Sequence, residues 1–258
     1  MKNLLGVLLI VGVINLTFSQ DFKGKITYQA SMVVDESPSN NPKFIVISAK
    51  DVVMSEEFKD LEVKSGKDAL PINFLLIFDG EESLYRSELD FEETKKLKLL
   101  MNQTNLVGRQ NQLYYTNIET NEKIFQSHWT QNVIVNMDDI DWVLKNETKE
   151  IGNYTAKKAI AIISSEQTYG MNYLSPVEAW YTPDVSLPFG IQNFTGLPGL
   201  TLELIADYQE GKIRYLATDI DLDSAEEIYI EKPKGNQLLS EKEYVELIKD
   251  LNAQRKSH

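Results

Sequence analysis

The chain of 258 residues sets 26 Lys and Arg against 39 Asp and Glu, a formal net charge of −13, and contains no cysteine. Nucleic acid and anionic lipid surfaces are bound through basic stripes, and the lysine clusters Lys95-Lys96-Leu97-Lys98 and Lys157-Lys158 do not extend into one. The absence of cysteine excludes disulfides and a lipidated N-terminal cysteine, so a lipoprotein is not expected.

At the N-terminus Lys2 precedes an apolar run from Leu4 to Ile14, followed at once by Asn15, Thr17 and Ser19. The run is too short for a transmembrane helix, which needs roughly 20 apolar residues. Small residues at Thr17 and Ser19 suit signal peptidase, so residues 1–19 read as a cleaved secretory signal and Gln20 as the mature N-terminus. Loss of Lys2 leaves 25 basic against 39 acidic side chains in the mature chain. Residues 20–258 read as one exported domain.

In the mature chain Ile26, Tyr28, Ala30 and Met32 alternate with polar residues, the period of a strand with one buried face. Pro38 to Pro42 break the pattern, and Phe44 to Ile47 resume an apolar run. Residues 49–63 fit a short amphipathic helix or a charged hairpin. Ile72 to Phe78 form a buried strand that turns at Asp79-Gly80 and returns over Ser83 to Ser87. Residues 90–106 read as a lysine-rich excursion. Leu113 to Ile118 and Lys123 to Trp129 make a second hairpin, and further strands are expected over 142–149, 156–164, 177–182, 200–208 and 212–218. Ser240 and Glu243 form a capping box, which starts a helix over 240–254 with Tyr244, Val245, Leu247, Ile248 and Leu251 on one face. The expected fold is mainly β (α+β): a curved antiparallel sheet or partly open barrel built as a meander, with the C-terminal helix packed on it.

The densest local signal runs from Trp180-Tyr181 through Pro183, Pro188, Phe189, Gly190 and Phe194 to Gly196-Leu197-Pro198-Gly199-Leu200. Proline second and glycine third in Leu197-Pro198-Gly199-Leu200 predict a type II turn, because the third position needs a positive φ. Leu200, Leu202 and Leu204 continue as a strand, with Thr201 and Glu203 facing the other way. The loop reads in two ways. It is either a lock that holds a long connection against the sheet, or an exposed aromatic surface in which Trp180, Tyr181, Phe189, Phe194 and Leu197 contact a ligand or partner.

These residues resemble the signature of the GLPGLI family, a group of exported proteins found mainly in the Bacteroidetes. Upstream, Trp142-Val143-Leu144, Glu147-Thr148-Lys149, Ile151, Tyr154, Lys158 and Ala159 are similar to the family's stretch before its Ala-Trp-Tyr segment, here Ala179-Trp180-Tyr181. The resemblance covers residues 138–208 strongly and the N-terminal strands weakly. This chain departs from the family at Ala156, where a cysteine is frequent, and at Thr201, which follows Leu200 in place of isoleucine. The resemblance implies an exported, mainly β protein, periplasmic or secreted and at most peripheral to the outer membrane, near outer-membrane transporters, and supplies no active site. It also implies a source in which exported proteins are O-glycosylated at Asp-Ser/Thr followed by a small or aliphatic residue, and Asp223-Ser224-Ala225 fits, with Ser224 as the acceptor.

Catalytic sets are few. His258 ends the chain, and His128 lies beside Trp129 where a packed or solvated histidine is the plainer reading. Asp138, Asp139 and Asp141 offer carboxylates for acid–base hydrolysis, but neighbouring loop aspartates point apart. Asp219, Asp221 and Asp223 share one strand face and suit calcium, although Ser224 and Ile230 stand where an EF-hand needs glycine and glutamate. No cofactor is called for. The sequence therefore favours a non-enzymatic binding or accessory protein for an apolar ligand, a peptide or an outer-membrane transport partner, with a carboxylate hydrolase and a purely structural or assembly role as the alternatives.

Overall fold

The structure, a computed structural model, describes residues 23–33, 44–45, 72–88, 112–127, 130, 132–164, 167, 173–208 and 211–256. The expected leader at 1–19, the stretch 49–63, the expected excursion at 90–106 and both histidines lie outside the described residues.

Among the described residues thirteen strands form a single sheet. They are β1 (Lys23–Val33), β2 (Phe44–Ile45), β3 (Ile72–Asp79), β4 (Glu82–Ser87), β5 (Gln112–Asn117), β6 (Glu122–Ser127), β7 (Val133–Asn136), β8 (Trp142–Ile151), β9 (Tyr154–Ala161), β10 (Tyr173–Thr182), β11 (Leu200–Tyr208), β12 (Gly211–Asp221) and β13 (Gln237–Ser240). The helix α1 (Glu241–Lys256) follows. The order β13-β7-β6-β5-β4-β3-β1-β12-β11-β10-β9-β8, with β2 on β1, describes an open sheet with edges at β13 and β8, not a closed barrel.

The expected meander is present twice, over β3 to β7 and β8 to β12, and β1 joins the two halves by pairing with both β3 and β12. One pair departs from the antiparallel expectation. β13 runs parallel to β7, because residues 222–236 cross the sheet from β12 to the far edge instead of turning back. Ile230 of this strap packs on Leu84, Tyr115 and Ile124 on the outer face, and Lys232 pairs with Glu122 at 2.6 Å.

The main core lies on the inner face. Ile26, Tyr28 and Ala30 of β1 alternate inward beside Phe74, Leu76 and Phe78 of β3. At the other half the inward row is small: Ala159 faces Ala179, Ala161 faces Val177, and all four are fully buried. Such side chains leave depth over β9 and β10, and the connection from β10 to β11 fills it. At the C-terminus the capping box forms as expected. The backbone N–H of Ser240 donates to Glu243 Oε2 at 2.8 Å, and that of Glu243 donates to Ser240 Oγ at 3.3 Å. Tyr244 then packs edge-on to Phe125, 5.5 Å between ring centres, which seats α1 on the β6–β7 side. Among the described residues no helix is long and apolar enough to cross a membrane.

Candidate functional site

Residues 183–199 form the loop that carries the densest sequence signal, and they fold inward. Phe189 meets Phe78 of β3 at 6.2 Å, and Phe194 meets Trp142 of β8 at 6.3 Å. Trp142 Nε1 donates to the Thr195 carbonyl at 2.9 Å, and Gln192 Nε2 donates to Tyr215 Oη at 3.1 Å. The loop thus spans the inner face from β8 to β3. Trp180, Tyr181, Phe189, Phe194 and Leu197 are all buried. This corrects the reading of an exposed aromatic surface: Phe189, Phe194 and Leu197 are core, drawn in by the space above the alanines, while Trp180 is buried on the opposite face beneath Lys149.

The motif turn is also tighter than the type II turn expected. The Gly199 N–H donates to the Leu197 carbonyl at 2.8 Å, spanning two residues, while the Leu200 N–H goes to the Val185 carbonyl at 2.9 Å. Leu200 is thereby taken into the loop's own bonding and cannot close on Leu197. Gly196 and Gly199 both hold positive φ, 86° and 148°. A Cβ on Gly199 would stand 2.1 Å from the Thr182 carbonyl oxygen, so only glycine fits there. Pro198 carries the bend between them.

A charged cluster lies on the opposite face. Lys158, Trp180 and Glu203 pair in one row across β9, β10 and β11, while Glu178 and Arg214 both oppose Ile205 in the next row. Glu203 is 1% exposed and accepts hydrogen bonds from Lys149 Nζ and Arg214 Nε. Lys149 comes from the outermost strand and lies 4.1 Å from the centre of the Trp180 ring, a cation–π distance. Lys158 pairs with Glu178 at 2.7 Å, and Trp180 Nε1 donates to Glu178 Oε1 at 2.7 Å. Burial alone would raise the Glu178 carboxyl, but the bonds from Lys158 and Trp180 and the Lys158 and Lys149 charges outweigh it and hold the group below its ordinary value. An ionised, doubly bonded carboxylate is a poor general acid, and Glu178 is held in that state.

The sequence reading missed this cluster, although it placed Glu203 on the face opposite Leu202 and Leu204. Its members are scattered over five strands, from β8 to β12. The one signal available was a charge inside an otherwise apolar strand.

The remaining candidates stay apart. Asp138, Asp139 and Asp141 are exposed. Asp139 pairs with Lys123 at 2.6 Å, and Asp138 uses its backbone N–H to bond Glu241 Oε1 at 3.0 Å. Hence they form no converging set. Asp221 lies opposite Lys25, whose ammonium is held above its ordinary value by its bond to Glu226 and by the Asp221 and Asp219 charges. Asp219 and Asp223 are exposed, and among the described residues no three metal-ligating side chains gather. Ser224 is half-buried, with its N–H bonded to the Lys23 carbonyl at 3.0 Å.

The most accessible special feature is the sheet edge. Along β8 every residue from Val143 to Thr148 is exposed, and among the described residues no strand pairs with its free side. Val143 is 51% exposed and Leu144 52%, and Ile162, just beyond the neighbouring strand, is 76% exposed. Unpaired backbone donors beside exposed apolar side chains make a template for another strand.

No family model matches the chain. No curated protein matches it. Among solved structures it is similar to PNGF-II in the C2 space group, with 17% identity and a TM-score of 0.45 over 87% of this chain and 32% of that one. For PNGF-II in the P21 space group the identity is 18% and the TM-score 0.44, over 80% of this chain and 29% of that one. The chain therefore spans about a third of the length of that protein, 32% and 29% in the two structures.

Proposed function

We propose that this chain is an exported envelope protein of the GLPGLI type that works by binding, and that its binding surface is the open edge of β8. The single observation that carries this reading is the run of exposed residues from Val143 to Thr148 on a strand with a free edge, next to exposed Ile162. An extended peptide segment, supplied by an outer-membrane transport partner, adds there as a further strand, with main-chain hydrogen bonds for affinity and side-chain contacts for choice. A ligand carried on the inner face is the weaker reading over the β8–β3 half, because the loop 183–199 already occupies that space. The signal at residues 1–19 directs the chain to the periplasm or beyond, where a glycan on Ser224 would sit on the strap, away from β8.

The test is a photo-crosslinking residue placed at Leu144 in the native envelope, with the same residue at Tyr229 as the control. Tyr229 is more open than Leu144, 76% against 52% exposed, but lies on the strap. The expected result is a discrete crosslinked partner at position 144 that is missing at 229. Equal labelling at both positions would remove the edge as the binding surface.

A further inference from the structure

We propose that the β8 edge, where no partner strand occupies it, pairs with the β8 edge of a second copy of the chain, antiparallel about a two-fold axis at Asn146. This rests on the edge-binding reading above and adds its regulation: the chain masks its own binding surface. The charges of β8 balance, with Lys145 and Lys149 against Glu147 and Glu150. Two of them are engaged within the chain. Lys149 donates to Glu203, and Glu150 accepts from Thr155 Oγ1 at 2.9 Å. Lys145 and Glu147 are left: both are exposed, and neither forms an ion pair or a side-chain hydrogen bond among the described residues. A free cation and a free anion on either side of Asn146, on an open edge, are self-complementary in antiparallel pairing.

The charges select one register. Residues that face each other across a two-fold strand pair lie at equal distances from its centre, so the choice of centre fixes every contact. With Asn146 at the centre, Lys145 of each copy meets Glu147 of the other, Leu144 meets Thr148, and Val143 meets the aliphatic stem of Lys149. With Lys145 at the centre, the two lysines meet each other. With Glu147 there, the two glutamates meet, and Lys145 faces Lys149 as well. A centre at Thr148 draws on Lys149, which Glu203 already holds, and leaves Val143 and Leu144 beyond the end of the facing strand. The bulge supports the centre at Asn146. Leu144 lies opposite Ala159 and Thr148 opposite Lys157, so residues 145–147 stand against Lys158 alone, and the middle of β8 is the part least committed to β9. Main-chain groups there are open to an outside strand. So short an edge buries less than the roughly 1,200 Å² of a stable interface, so the self-pair dissociates readily and gives way to a tighter partner. The net charge of −13 does not prevent it, because repulsion between the two bodies is screened beyond about 8 Å at physiological salt.

The experiment uses the full mature chain. Since the chain has no cysteine, Asn146→Cys supplies a lone thiol, and the register sets that position against itself within disulfide reach. Mild oxidation is expected to give a covalent dimer, while Tyr229→Cys, on the strap, stays monomeric. Sedimentation from about 1 to about 300 µM should show the native chain passing from monomer to dimer, the range of a small interface. Lys145→Glu alone, or Glu147→Lys alone, sets like charges together twice and should weaken the dimer about tenfold. Both changes together should restore it, because unlike charges again face each other; a loss caused by misfolding would not be rescued. A dimer indifferent to these charges, or a monomer at every concentration with no link at position 146, overturns the proposal. After either result, a Leu144 crosslink to another protein keeps the edge-binding reading. A Leu144 crosslink to a second copy alone supports self-pairing and removes the transport partner. If position 144 captures nothing and position 146 does not link, edge binding and self-pairing fall together.

Discussion

Lys149, on the edge strand β8, donates a hydrogen bond to Glu203, which lies three strands away on β11. The reach is possible because the ammonium passes over the Trp180 ring on β10, so one lysine ties the outermost strand to the interior of the sheet. Glu203 is buried while Lys149 and Arg214 remain partly open. The carboxylate therefore depends on both partners for its solvation.

Removing that carboxylate should be costly. Glu203→Ala strands Lys149 and Arg214 and is expected to lower stability by about 3 kcal/mol, seen as a reduced urea midpoint. Glu203→Leu with Lys149→Met should cost less than the two single changes summed, because each removes the other's unpaired charge. Additive losses would show that the two groups are not coupled.

In the motif turn the two glycines should differ. At Gly196 an added methyl meets nothing within 4 Å, so Gly196→Ala carries only the strain of positive φ, about 1 kcal/mol. Gly199→Ala drives a Cβ into the Thr182 carbonyl and is expected to cost about 3 kcal/mol or more. Thermal unfolding of the two variants ranks them, and equal shifts would mean that the loop yields at Gly199.

Acid should weaken the fold partly through Glu178. Its carboxyl lies below its ordinary value when folded, so it contributes stability above its unfolded pKa, and that contribution is lost as pH falls through the lower, folded pKa. Urea midpoints from pH 6 to pH 3 should fall faster for the native chain than for Glu178→Gln, with the gap between them closing at low pH. A constant gap would assign the effect of the substitution to packing.

Alkali tests a different pair. Burial, then the hydrogen bond from Tyr115 to Glu82, pushes the Tyr115 hydroxyl up to about 12. The raised value means that the stabilisation is complete below the unfolded pKa near 10 and is lost as pH rises towards 12. Ultraviolet titration of phenolate should show a late tyrosine, and Glu82→Gln should bring it earlier without restoring the free value, since burial remains. Titration unchanged by Glu82→Gln would assign the whole shift to burial.

Much of this fold is legible in the sequence wherever one local rule decides the outcome. Alternation marks β1, a buried apolar run marks β3, Asp79-Gly80 marks the turn after β3 with Gly80 at φ 57°, and Ser240 with Glu243 marks the helix start. Four-residue β7 and β13 are too short to show a period, and their parallel pairing depends on where the strap lands. The aromatic loop misleads because aromatic side chains between breakers look the same whether they line a surface or fill a hollow. The hollow itself was encoded elsewhere, in Ala159, Ala161 and Ala179. Glu203 misleads for the converse reason, since a charge is ordinarily assigned to solvent, and its cations sit on strands remote in sequence.

The position of β1 between β3 and β12 has a consequence for how the chain reaches this state. Lys25 meets Asp221 across one edge of β1 and Ile77 across the other, so the strand nearest the N-terminus is completed by one of the last. Pairings of such long sequence separation close slowly, because a large loop must be ordered before any contact rewards it. A chain emerging N-terminus first holds β1 half-paired until β12 arrives, which favours a late, concerted collapse over stepwise folding from the N-terminal end.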